Sequence, residues 1–172
     1  LPSRITLFQG LPKSDKMDLI IQKCVELGVF RIVPVTTKRT VVKLDAKKEE
    51  SRRKRWTAVS ESAAKQSGRG IIPEISGVQS FREAVEEAGE LDVCLIPYEK
   101  AENMARTREI LSGIPAGASI GVFIGPEGGF EEEEVREAME AGARPITLGR
   151  RILRTETAGM AVLAMLGYLL EE

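Results

Sequence analysis

Short apolar runs alternate along this chain with segments of helical period, and that alternation restricts the fold more than any other feature. Residues 5–9, 31–36, 93–96, 120–124 and 146–148 read as strands. After the first, Ser14 or Asp15 caps a helix whose Met17, Ile20, Ile21, Cys24 and Leu27 share one face, and Gly28 closes it. A long helix is expected over 46–67, basic at its start and alanine-rich later. Shorter helices are expected from Ser80 to about Ala88 and from Met104 to Leu111. Glu131, Glu132, Glu133 and Glu134 open another, since carboxylates suit the first turn of a helix. The last helix is placed from about Thr157, burying Ala158, Ala161, Val162, Met165, Leu166 and Leu169. Its apolarity implies packing on more than one side. Pro34 flaws the second strand, and 40–47 is the expected loop. Strands alternating with helices predict an α/β fold, a mostly parallel sheet with helices on both faces. At 172 residues the chain makes one domain with a core of its own.

Three strands end in turns richer than a connection needs. The strand at 93–96 runs into Pro97-Tyr98-Glu99, and that at 120–124 into Gly125-Pro126-Glu127-Gly128-Gly129. The strand at 146–148 runs into Gly149-Arg150-Arg151-Ile152-Leu153-Arg154. Ligands of α/β proteins sit at the carboxyl ends of parallel strands. Glycines there let a ligand approach the backbone. The pattern is neither the dinucleotide-binding glycine fingerprint nor a phosphate-binding lysine loop, which disfavours nicotinamide cofactors and NTP hydrolysis. A purely structural strand-to-helix turn is the alternative. Arg150, Arg151 and Arg154 precede a helix N-terminus, where the dipole disfavours cations. Glu156 compensates them, or the phosphate of a bound nucleic acid does. Arg69, beside flexible Gly68, suits a residue that reaches a substrate; the plainer reading is a helix stop with a solvated arginine.

Charge is uneven. Residues 38–69 hold eleven Lys or Arg against four acids, while the whole chain carries a net charge of −1. Such a segment attracts a polyanion or is simply a solvated basic helix. The absence of histidine removes the commonest general base and metal ligand. Cys24 and Cys94 lack zinc or disulfide spacing and read as free buried thiols, which fits a reducing, cytoplasmic setting. Neither a membrane span nor a signal peptide is visible, and no metal is expected.

Longer motifs carry a family resemblance. Residues 11–17 and 22–28, Arg55-Trp56 with 61–69 and Pro73-Glu74, Ile124-Gly125-Pro126-Glu127-Gly128-Gly129-Phe130, and Leu148-Gly149-Arg150-Arg151-Ile152-Leu153-Arg154-Thr155-Glu156-Thr157-Ala158 together resemble the ribosomal RNA small subunit methyltransferase E family. That family methylates uracil N3 in 16S rRNA and belongs to the SPOUT superfamily. The resemblance implies an α/β SPOUT methyltransferase domain over 1–172 with a C-terminal trefoil knot, S-adenosylmethionine as cofactor, and a homodimer. Family members also carry an N-terminal PUA-like barrel that grips RNA; this chain begins at about the methyltransferase domain. Lys65 stands where the family often has an acid and is given no role.

On that resemblance the cofactor site takes Ile96, Pro97, Tyr98, Gly125, Pro126, Glu127, Gly129, Leu148, Gly149, Ile152, Leu153, Thr157 and Ala158. Ile96, Pro97, Leu148, Ile152 and Leu153 form an apolar slot for adenine, with main-chain contacts at Gly125, Gly129, Gly149 and Leu153. Arg69 or Arg154 stabilises the developing uracil anion; Glu127 and Glu156 act on the proton or hold the cofactor and its loop. Lys13, Lys16, Arg52, Arg53, Arg55 and Arg151 are the expected contacts to 16S rRNA or the small subunit. Alternatives are a SPOUT enzyme acting on tRNA or a ribose 2′-hydroxyl, or a non-catalytic RNA-binding assembly factor.

Overall fold

All strands run in one direction. The computed structural model describes residues 1–101 and 103–171. In chain order the elements are β1 (Arg4–Gly10), α1 (Lys16–Glu26), β2 (Arg31–Thr36), α2 (Ala46–Gln66), β3 (Glu74–Ile75), β4 (Gln79–Ser80), α3 (Phe81–Ala88), β5 (Val93–Pro97), α4 (Met104–Ser112), β6 (Ser119–Ile124), α5 (Glu132–Glu140), β7 (Arg144–Ile146) and α6 (Thr155–Leu170). The sheet order is β3-β2-β1-β6-β5-β7, with β4 pairing β2 beyond β3. Every pairing is parallel, as the alternation of strand and helix requires.

Side chains alternate across the sheet and build two cores. Ile5, Leu7, Leu95, Ile120 and Val122 face α1, α4 and α6. Phe8, Val33, Val35, Cys94, Ile96 and Phe123 face α3 and α5. Phe8 stacks on Phe123 with ring centroids 4.7 Å apart across the β1–β6 ladder. The sheet is therefore buried on both faces, which explains why its strands read as continuous apolar runs.

Pro34 fits because of where its neighbours stop. The Ile32 carbonyl accepts from Ser76 on the β3 side, and the Val35 carbonyl accepts from Leu11 on the β1 side. Alternation thus turns Pro34 toward the outer side, where β3 pairs only through Ile32 and β4 begins at Val35. No ladder partner waits there for the missing N–H. β3 and β4, two residues each, have no apolar run to announce them.

Two elements are displaced by two residues from the sequence reading. The last strand is Arg144–Ile146, not 146–148, because the Thr147 N–H leaves the ladder to donate to Thr107 Oγ1 at 2.9 Å. Helix α6 begins at Thr155, two residues early, and its buried residues are Thr155, Gly159, Val162, Leu163, Leu166 and Leu170. The stripe is rotated because Gly159 lets α6 lie close on α1 and β1. A Cβ there would touch Cys24 Sγ and Leu7 at 3.7 Å. Ala158, Ala161 and Met165 end up half-buried, while Leu169 (43% exposed) and Tyr168 (88% exposed) face outward.

Candidate functional site

A cavity of about 480 Å³ opens at the carboxyl ends of β5, β6 and β7. Pro97 and Tyr98 line it after β5, residues 125–130 after β6, and residues 147–155 with Ala158 on the way into α6. Its volume is in the range of small-molecule sites. A larger, shallower groove of about 710 Å³ runs between α1 and α2, away from the strand ends.

Glycines at 125, 128, 129 and 149 bring main chain to the walls. Gly10, at the end of β1, lies so close to the glycine loop that a Cβ would fall 2.6 Å from Pro126 N and Cδ. Within the loop, the Gly129 N–H donates to the Pro126 carbonyl at 2.8 Å. A Cβ on Gly125 would press the Gly129 backbone at 3.0 Å. Gly129 (φ 71°) and Gly149 (φ 106°) adopt left-handed backbone, and a Cβ on Gly129 would meet nothing within 4 Å. These two positions leave main chain bare toward space that a ligand can fill.

Polar side chains lock the loops together. Thr155 Oγ1 donates to the Gly125 carbonyl at 2.7 Å and accepts from Gln9 Nε2 at 2.8 Å. Gln9 Nε2 also donates to the Gly10 carbonyl at 2.9 Å. One buried chain of hydrogen bonds thereby joins β1, the glycine loop and α6. Glu127 accepts from the Lys13 backbone N–H at 2.7 Å and pairs with Lys16 Nζ at 3.3 Å. Partial burial pushes its carboxyl pKa up, but the Lys13 N–H, its own N–H and the Lys16 ammonium outweigh burial and hold it below the ordinary value. Arg39, after β2, donates Nη1 to the Gly128 carbonyl at 2.7 Å.

The mouth is basic. Lys16 is paired with Glu127 and Lys100 with Glu132. Arg39, Arg150, Arg151 and Arg154 are exposed and form no ion pair among the described residues. Glu156 does not neutralise the three arginines before α6, so an outside anion remains the natural partner.

Several expected residues do not build the inner walls of this cavity. Ile96 is fully buried in the core under the sheet, because the strand's alternation turns it away; Pro97 takes the wall instead. Ile152 is 83% exposed at the mouth and closes no slot. Thr157 is exposed on α6, and Glu156 turns from the cavity with Oε2 buried and unpartnered among the described residues. Arg69 is at the opposite end of the sheet. Its guanidinium donates to the carbonyls of Val25 and Val29, just before β2, at 3.1 and 2.6 Å. A strand of this sheet separates the two ends by roughly 20 Å, so within one chain Arg69 touches nothing at the mouth. Burial lowers its pKa.

The structure does bring Pro97, Tyr98, Gly125, Pro126, Glu127, Gly129, Leu148, Gly149, Leu153, Arg154 and Ala158 together, with Lys16 and Arg151 at the rim. Of the other basic residues, Arg55 is tied to Asp18 at 2.6 Å and Arg53 Nε to the Ile75 carbonyl at 3.1 Å. Lys13 and Arg52 are exposed on the surface. Gln9, Arg39 and Thr155 were not singled out from sequence. A glutamine inside an apolar strand was the available signal for the first.

Comparison with known proteins agrees with this geometry. The family model described as an RNA methyltransferase domain matches residues 1–167. Ribosomal RNA small subunit methyltransferase E of Bacillus subtilis (strain 168) is 39% identical over 171 residues, covering 98% of this chain and 67% of that protein. Its namesake in Mesomycoplasma hyopneumoniae is 35% identical over 94% of this chain and 68% of its own length. Among solved structures, the Neisseria gonorrhoeae methyltransferase E bound to S-adenosyl methionine superposes with a TM-score of 0.87 at 37% identity, covering 98% of this chain and 67% of that one. A putative methyltransferase from Legionella pneumophila with bound SAM gives 0.88 at 34% identity, over 97% of this chain and 66% of that chain. The chain thus spans about two thirds of the length of these relatives.

Proposed function

Since this chain belongs to the RNA methyltransferase domain family, we propose that it transfers the methyl group of S-adenosylmethionine to N3 of a uracil in 16S ribosomal RNA. The observation that carries this reading is the glycine-rich cavity where three parallel strands end. Its residues suit the donor. Pro97, Leu148 and Leu153 give an apolar wall for a purine, and bare main chain at Gly129 and Gly149 gives polar contacts without side-chain bulk. Bound there, the donor supplies a methyl group already activated by its sulfonium charge.

The chain's own contribution is positioning and electrostatics. The Gln9–Thr155–Gly125 chain keeps the cavity wall in register, and Glu127 fixes the loop to the start of α1. Arg154, at the mouth and in no ion pair among the described residues, stabilises the negative charge that develops on the uracil ring as N3 gives its proton to solvent water. The target base must be unpaired or turned out of its stack to reach the cavity. The choice of uracil N3 rests on the resemblance of residues 124–130 and 148–158 to the methyltransferase E motifs.

The same reading includes a trefoil knot at the C-terminal crossing, a cytoplasmic location and a homodimer. The outward Tyr168 and Leu169 on α6 and the exposed Ile152 support the dimer as apolar groups left for a partner. Among the described residues no helix is long and apolar enough to cross a membrane. The test is to incubate small-subunit RNA or particles with labelled donor and identify the product nucleoside by mass. 3-Methyluridine is expected. A different methylated nucleoside moves the substrate, and failure of the donor to bind removes the enzyme.

A further inference from the structure

The segment between β2 and α2 does more than connect them. Residues 37–40 form a braced turn: the Thr37 N–H donates to Thr40 Oγ1 at 2.9 Å, and the Thr40 N–H donates back to the Thr37 carbonyl at 3.1 Å. The turn is docked on the start of α5, where the Lys38 N–H donates to Glu134 Oε2 at 3.2 Å and Lys38 Nζ pairs with Glu133 at 2.6 Å. Lys38 is thus neutralised by glutamates. Its neighbour Arg39 is not. One guanidinium nitrogen rests on the Gly128 carbonyl, and the other N–H groups find no acceptor among the described residues. The stem is fixed as well, because Gly128 carries no Cβ; one would lie 3.2 Å from Arg39 Cβ. A cation held this way faces outward beside the cavity with most of its N–H donors unused among the described residues.

Resting on the methyltransferase reading above, we infer that the turn 37–40 is a second wall of the RNA site, and that Arg39 holds a backbone phosphate of the RNA strand there. A guanidinium fork suits that task better than an ammonium. Arg150, Arg151 and Arg154, which form no ion pair among the described residues, line the same mouth. A strand laid across the mouth would present one base to the cavity, with its phosphates held by these arginines and by Arg39. Arg39 thus joins the site from more than eighty positions upstream of the glycine loop.

The test uses the whole chain, labelled donor and small-subunit rRNA. Arg39→Ala should raise KM for RNA roughly tenfold, the loss of one charge-assisted contact. It should lower the slope of log affinity against log salt by about 0.7. The donor dissociation constant, from calorimetry without RNA, should stay within about twofold of wild type, a margin well inside the tenfold set by 1.4 kcal/mol. Arg39→Lys should recover part of the RNA effect. An unchanged KM and salt slope in Arg39→Ala overturns the inference. So does a fall in donor affinity matching the fall in RNA affinity, which would give Arg39 to the donor's carboxylate or to the loop alone. Should the wild-type chain transfer no methyl group, the enzymatic reading fails, while RNA affinity and its salt slope still decide Arg39.

Discussion

Replacing Gly10 by alanine would put a methyl carbon 2.6 Å from both N and Cδ of Pro126, where ordinary contact begins near 3.4 Å. One side must therefore give by about 0.8 Å. The proline ring and nitrogen cannot rotate away. β1 is held by ladders to β2 and β6 on both sides, so the glycine loop is the part that yields. Overpacking of this kind costs about 1–3 kcal/mol, and a domain of this size loses about 2–4 °C of Tm per kcal/mol. A fall of about 2–12 °C is expected by scanning calorimetry. The effect on turnover should be larger than stability implies. A wall displaced by nearly 1 Å costs on the order of 100-fold in rate where reacting atoms must align. Gly70→Ala is the control, since a Cβ there meets nothing within 4 Å and its backbone is unstrained. Gly10→Ala melting with wild type and binding S-adenosylmethionine equally well would refute the close approach of β1 to the loop.

Thr155→Val preserves shape but strips Gly125 and Gln9 of a shared partner. Urea denaturation should show a loss of about 1–3 kcal/mol and calorimetry weaker donor binding; wild-type values in both would mean the bridge is idle. Burial pushes the Cys24 and Cys94 thiols up to about 12. At pH 8 the native protein should give no reaction with a thiol reagent until denaturant releases both, and rapid native labelling would contradict their burial. Glu127 titrates below the ordinary carboxylate value, so its hold on the loop is complete above about pH 5 and is lost as pH falls through its lowered folded value. Donor affinity measured across acid pH should show that decline in wild type and lack it in Glu127→Gln; identical profiles would remove Glu127 from loop ordering. Arg55→Ala should lower RNA affinity less than Arg151→Ala in salt titrations, because Arg55 is already engaged by Asp18.

The location of the site was legible in the sequence because its signals are local: a glycine loop after an apolar run, and arginines ahead of a helix. Gln9 and Arg39 were not, since each acquires meaning only from a residue far along the chain, Thr155 or Gly128. Arg69 shows how a local signal misleads. An arginine next to a flexible glycine looks poised to reach a substrate, but length decides where it stands. The 21 residues of α2 extend about 31 Å at 1.5 Å per residue, against roughly 20 Å for a strand. Helix α2 starts beside the carboxyl end of β2, where Glu49 accepts from the Val78 N–H, and so it must end past the opposite edge. Its basic residues are therefore strung along the side of the domain. Arg53 and Arg55 are also committed to partners in the fold. A charge count finds the most basic segment of the chain, but position matters more than number: Arg39, Arg150, Arg151 and Arg154, far apart in sequence, line one cavity mouth, and among the described residues none of them is held in an ion pair.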